Sequence, residues 1–244
     1  MDDYNNDDEF ILEQKEEEVE QLSWWERVKY IFIDPARTMK YLAEHPKVLF
    51  PVLCIIIGFF GLNFVKMDLL LEFTKEQMII QMSKLGGASG QMGVPDEFVK
   101  FATWGALAGA ALGPIASWFF KGLIIHLLAK AFKGTGKLKT ALSAVGYAYL
   151  IVLLGEGIRT IIALITRNYL VMTSLALFLP EPNIGSPLFS ILGSIDVFSI
   201  WYLVVLTIGL SHTHKIEMNK SGIVVFGSWV AMICLSVGAV LLKG

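Results

Sequence analysis

Apolar residues fall in five long blocks separated by short polar segments, about 48–65, 101–125, 140–166, 188–210 and 222–242. A helix needs about 20 predominantly apolar residues to cross a bilayer core about 30 Å thick. Each block meets that length or comes close to it, so the pattern predicts a bundle of five membrane-spanning helices. The second block runs on past its span, from Phe101 to Phe132. As one helix it would be roughly 48 Å long at about 1.5 Å per residue. It is therefore either one tilted helix that emerges from the membrane or a span followed by an interfacial tail. In both cases Lys130 lies at or beyond the boundary and Lys121 snorkels. Gly113-Pro114 predicts a kink. Gly105, Gly109 and Gly113 repeat every four residues and form a small-residue face suited to close helix packing.

The polar segments divide the rest of the chain. Residues 1–22 are expected to be a disordered cytoplasmic tail, because ten of the first twenty are Asp or Glu and only Lys15 is basic. Residues 23–47 form an amphipathic lead-in, with Trp24, Val28, Ile31 and Phe32 at helical spacing among basic residues. Asp34-Pro35 starts a second short helix there. Aromatic and basic residues just ahead of a span are expected to anchor at the membrane interface, with Trp24, Trp25 and Arg27 as the anchor. Residues 48–242 then form the membrane domain. Within it, Glu72 to Leu85 has the pattern of an amphipathic helix, and Gly86 to Gly90 reads as a flexible break. Lys133 to Lys139 reads as a basic loop, Arg167 to Pro187 as a loop with a Pro-rich end, and Ser211 to Ser221 as a polar turn.

Composition agrees with the pattern. The 244 residues are 55% hydrophobic and 17% charged, with a mean hydropathy of +0.60; soluble domains average about 45–50% and about 25%. The net charge of −2 leaves no nucleic-acid footprint. Cys54 and Cys234 both sit in apolar blocks, so no disulfide framework is expected. An acidic N-terminus is not a signal peptide. Lys and Arg concentrate on the side shared by the N-terminus, the 133–139 loop and the 211–221 turn. That bias predicts a cytoplasmic N-terminus and an outside C-terminus.

Candidate chemistry is sparse. Glu156 and Arg159 stand i,i+3 on one helix face inside the third span, and ionisable residues in a span are functional candidates by default. They are either an intrahelical ion pair near the outer interface or part of a polar path. Lys121 and His126 of the second span are candidates for the same polar seam. Asp196, near the outer end of the fourth span, either caps that helix or pairs with Arg159. His212 and His214 are read as solvated turn residues, since only Glu217 accompanies them and a zinc site needs more ligands. Gly134-Thr135-Gly136-Lys137 lacks the spacing of a phosphate loop. No catalytic residue, cofactor or metal is expected, and an enzyme reading has little support.

Four pieces of the chain, in this order and spacing, resemble the Yip family, the Ypt/Rab-interacting membrane proteins and their five-span bacterial relatives. They are Trp25-Glu26-Arg27 through Asp34-Pro35 with His45-Pro46 and Pro51; the turn Gly134 to Lys139 feeding Ala141-Leu142; Gly146-Tyr147-Ala148; and Asp196-Val197-Phe198-Ser199-Ile200-Trp201 with Gly209-Leu210. The resemblance covers roughly Trp24 to Leu242. One departure is that family members commonly place a proline a few residues after the Gly-Tyr pair, where Leu150, Ile151 and Val152 continue the helix here. The resemblance implies a membrane protein without known catalysis. Eukaryotic members are linked to Rab GTPases and vesicle traffic, but the acidic tail lacks their aromatic and proline signatures, and the lead-in looks like the bacterial branch. Bacterial relatives are thought to assist neighbouring membrane complexes, ABC-type exporters among them.

Two functions follow as expectations. The first is a non-enzymatic scaffold or accessory subunit in the bacterial plasma membrane, in contact with lipid and with other membrane proteins or further copies of itself. The second is a small transporter or channel using Lys121, Glu156, Arg159 and Asp196. Charges paired at the rim favour the first, and charges meeting in a water-filled cavity favour the second. For Trp201, bundle packing or interface anchoring is the expectation.

Overall fold

A computed structural model of the chain describes residues 21–84, 94–179 and 186–242. The acidic tail up to Glu20, the glycine-rich break at 86–90 and most of the Pro-rich end of the third loop lie outside the described residues. Two short helices open the described chain, α1 (Trp24–Ile33) and α2 (Pro35–Glu44). Ser23 caps α1, and Glu26 closes a capping box by accepting from the Ser23 backbone N–H at 2.8 Å. Asp34 ends α1 and caps α2, whose first residue is Pro35. Then follow α3 (Leu49–Val65), α4 (Met67–Lys84), α5 (Asp96–Ala131), α6 (Leu138–Thr166), α7 (Pro187–Gly193), α8 (Val197–His214) and α9 (Met218–Leu241).

The chain is an all-helical multi-pass membrane protein. Among the described residues four helices, α5, α6, α8 and α9, are long and apolar enough to cross a membrane; the pair α3 and α4, bent by 76° at Lys66, makes a fifth candidate. The second block forms one helix of 36 residues, the tilted-helix alternative, and Pro114 lies inside it without ending it. At roughly 54 Å it outruns the hydrocarbon core. Leu150 to Val152 do continue α6.

Two boundaries differ from the sequence pattern. The fourth block is not one helix from 188 to 210. Its start is the separate short helix α7, and Asp196 caps a new helix at Val197. Periodicity could not place that break, because apolar residues occupy both sides of it. The polar turn at 211–221 is also much shorter, since α8 continues to His214 and α9 begins at Met218. The loop after α6 contains a 3-10 turn, Leu175–Phe178, and folds back on the start of α8 through a Ser174–Asp196 bridge.

The core lies between α6 and α8, the most extensively packed pair, with α3 and α5 against α6 and α9 against α8. The lead-in belongs to this core. Ile31, Met39 and Leu42 are completely buried, and α2 packs along α8. Apolar side chains gain little by leaving lipid, so close fit holds such a bundle together.

Candidate functional site

Three clusters of polar side chains carry the candidate residues. The first closes the end of the bundle where α3 turns into α4. Glu156 of α6 accepts from Lys66 Nζ at 2.7 Å and from Arg159 Nε at 3.2 Å. Arg159 Nη1 also donates to Thr173 Oγ1 at 3.0 Å. The Lys66 ammonium stands 5.0 Å from the centroid of the Tyr169 ring, and the Tyr169 hydroxyl donates to Asn63 Oδ1 at 3.3 Å. Burial raises the Tyr169 phenol above its ordinary value, and the Glu156 carboxylate adds to the shift. Lys66 is only 5% exposed, so its charge is held inside the protein by Glu156. The sequence offered the Glu156–Arg159 ion pair as one of two readings and did not single out Lys66. The one signal for Lys66 was its position directly after an uncharged run, since its partner lies 90 residues away.

Asp196 and Arg159 line one cavity of about 410 Å3. Among the described residues no ion pair joins them. Asp196 Oδ1 accepts instead from the backbone N–H groups of Phe198 at 2.9 Å and Ser199 at 3.2 Å, and Oδ2 takes the Ser199 hydroxyl. Of the two roles expected for Asp196, the structure places it as the cap of α8.

The second cluster ties the lead-in to α6. Arg27 is 8% exposed. Its Nε donates to the Tyr147 hydroxyl at 2.9 Å, and Nη1 donates to Leu22 O at 2.8 Å and to the Tyr41 hydroxyl at 3.4 Å. The guanidinium expected at the membrane interface is thus turned inward, because Tyr147 offers a buried acceptor that hydration would otherwise have to replace. Trp24 and Trp25 stay exposed, ring edge to ring face at 5.7 Å. Gly146, next to Tyr147, leaves room for α3: a Cβ there would lie 2.9 Å from Pro51 Cγ and 3.1 Å from Trp118 Nε1.

The Asp196-to-Trp201 piece has the same character. Phe198 fills the space over Gly155, where a Cβ would come within 2.6 Å of the ring. Trp201 packs edge-to-face on Phe32 of α1 at 5.8 Å. Phe198 and Trp201 of this piece therefore each fix α8 against another helix.

The third cluster sits where α5 ends and α8 ends. His214 is completely buried, and its Nε2 lies 2.9 Å from His126 Nδ1. Its Nδ1 is 3.0 Å from Thr213 Oγ1, and its backbone carbonyl accepts from Thr135 N at 2.9 Å. The solvated-turn expectation for His214 is corrected by these contacts. The cause is the longer α8, which carries the residue into the bundle. Gly136 packs so closely on Thr213 and His214 that a side chain there would collide with both, which explains a glycine in this turn. Lys121 does not share a seam with His126. Its ammonium lies between the rings of Tyr149 and Tyr202, 5.4 and 5.3 Å from their centroids. Among the described residues no group of three or more His, Cys, Asp or Glu could hold a metal.

A family model, the Yip1 domain, matches residues 29–240 of the chain. The membrane protein YknW of Bacillus subtilis (strain 168) is 29% identical over 211 residues, which cover 84% of this chain and 87% of that protein. No solved structure matches the chain.

Proposed function

The chain belongs to the Yip1-domain family of multi-pass membrane proteins, and from that premise we propose that it is a non-enzymatic scaffold or accessory subunit of a membrane complex. The observation that carries this reading is the closure of the Lys66–Glu156–Arg159 cluster. The intramembrane charges of α6 are spent on one another at one end of the bundle. A solute pathway needs charges that remain free to meet a solute. The residues that recur in the family resemblance, Gly146, Tyr147, Phe198 and Trp201, are likewise spent on packing.

What remains outward-facing suits contact with other proteins. Gly105, Gly109 and Gly113 of α5 have nothing within 4 Å of where a Cβ would stand, and Trp24 and Trp25 stand exposed on the lead-in. The partner class that fits the bacterial branch is a membrane complex such as an ABC-type exporter. A bacterial plasma membrane, with the N-terminus inside and the C-terminus outside, is the orientation that the Lys and Arg bias supports. The alternative, a small transporter, draws on Lys121, which has no carboxylate partner among the described residues.

The test is a photo-crosslinking side chain placed at Gly109 or at Trp25 in the full chain, irradiated in the native membrane. Discrete adducts to a second polypeptide at either site are the expected result. Adducts to lipid alone at both sites would overturn the scaffold reading.

A further inference from the structure

A cavity of about 640 Å3 lies among α5, α8 and α9, apart from the three clusters described above. Its volume falls within the range of small-molecule sites, about 300–1,000 Å3. The wall is mainly apolar, and Phe120, Ile124 and Met232 line it while remaining exposed on the bundle surface. The cavity therefore opens sideways, toward the hydrocarbon of the bilayer. Ser117, Ser194, Ser228 and Ser236 also line the wall, and two further groups stand out in it. Lys121 brings in a cation that two aromatic rings stabilise in part but no carboxylate neutralises among the described residues. Tyr202 is 4% exposed, and among the described residues its hydroxyl has no hydrogen-bond partner.

A buried hydroxyl without a partner and a cation without an anion, on one apolar cavity, together describe what is missing from it. That is a single negative charge with two acceptor atoms, attached to an apolar body. A carboxylate has that charge and those two oxygens. A phosphodiester carries the same charge and two free oxygens, and competition by phosphatidylglycerol separates the two sources in the test below. We propose that this cavity binds a long-chain fatty acid, its carboxylate held by Lys121 Nζ and the Tyr202 hydroxyl and its chain lying along α9. The site is independent of the accessory role proposed above and stands or falls by its own test.

The test uses the full chain in phosphatidylcholine nanodiscs and a palmitic acid analogue that carries a diazirine. Photolysis is expected to label residues of α5, α8 and α9 around the cavity. Unlabelled palmitate should compete, and methyl palmitate, which has the chain but no charge, should not. Lys121→Met should weaken labelling about tenfold or more, the scale of a lost charge-assisted hydrogen bond, while Lys121→Arg keeps most of it. Tyr202→Phe should weaken labelling several-fold yet leave the melting temperature of the empty protein unchanged or raised, since it removes an unpaired buried hydroxyl. If Lys121→Met does not fold, the ester competition and Tyr202→Phe decide alone. Labelling outside the cavity, equal competition by the methyl ester, or competition by phosphatidylglycerol in place of palmitate would each overturn the proposal.

Discussion

Gly146 offers the sharpest test of how this bundle is held together. A Cβ at this position would lie 2.9 and 3.1 Å from Cγ and Cβ of Pro51 and 3.1 Å from Trp118 Nε1. Carbon atoms pack best at about 3.5–4.0 Å, so a neighbour must move. Pro51 is buried within α3, and its ring has no rotamer to escape into. Trp118 is tied by its indole N–H to Leu142 O at 2.9 Å, and pulling it away loses a hydrogen bond of about 1 kcal/mol. Overpacking costs about 1–3 kcal/mol. Against this, Gly→Ala gains about 1 kcal/mol of helix propensity. The balance for Gly146→Ala is a loss of about 1–3 kcal/mol, and Gly146→Val, with two further methyl groups, loses about 3 kcal/mol or more. Gly109→Ala is the control. Nothing stands within 4 Å of its Cβ, so propensity acts alone and the change is a gain of up to about 1 kcal/mol. Thermal unfolding of the purified protein in mild detergent, followed by tryptophan fluorescence, reads both. A Gly146→Ala protein as stable as its parent, or a Gly109→Ala protein equally destabilised, would refute the packing argument.

Other substitutions test the polar clusters by the same unfolding measurement. Glu156→Gln leaves Lys66 and Arg159 without a counter-charge and should cost about 2–4 kcal/mol, discounted from a fully buried pair because Glu156 is 17% exposed. Adding Lys66→Met should recover at least about 1 kcal/mol relative to the sum of the single changes, and strict additivity would remove the ion-pair account. Arg27→Ala strips three hydrogen bonds from a buried guanidinium and should cost about 2–4 kcal/mol; a loss under about 0.5 kcal/mol would mean that the lead-in is not clamped through this residue. Asp196→Ala should cost about 1–2 kcal/mol as a lost helix cap, and Asp196→Asn, which still caps, only a few tenths. Because Asp196 and Arg159 form no ion pair, Asp196→Ala and Arg159→Ala should add within about 0.5 kcal/mol. A double variant much milder than the sum would restore the pair.

The membrane architecture was legible in the sequence because lipid demands a long, predominantly apolar run of every span. Helices α3, α5, α6 and α9 lie in apolar blocks that this rule picks out. It did not locate the break between α7 and α8, because Asp196 interrupts an apolar run that hydropathy alone reads as continuous. Glu156 and Arg159 could be paired from spacing, since i,i+3 is a local relation. Lys66 with Glu156, Arg27 with Tyr147 and His126 with His214 are separated by 90, 120 and 88 residues. Nothing in one sequence links such positions, and packing decides them. The Gly146-Tyr147 piece was visible as a pattern, but its cause, the approach of Pro51 and the reach of Arg27, appears only in three dimensions.

The measurement that bears most directly on the accessory reading is recovery of the tagged full-length protein from its native membrane in mild detergent, with its companions identified by mass spectrometry. Deleting the lead-in is a poor control, because Ile31, Met39 and Leu42 are core residues. Replacing the exposed Trp24 and Trp25 with serine leaves the core intact. The account predicts a second membrane protein in stoichiometric yield, reduced when the two tryptophans or the Gly109 face are altered. Recovery of this chain alone from an intact, folded preparation would contradict it.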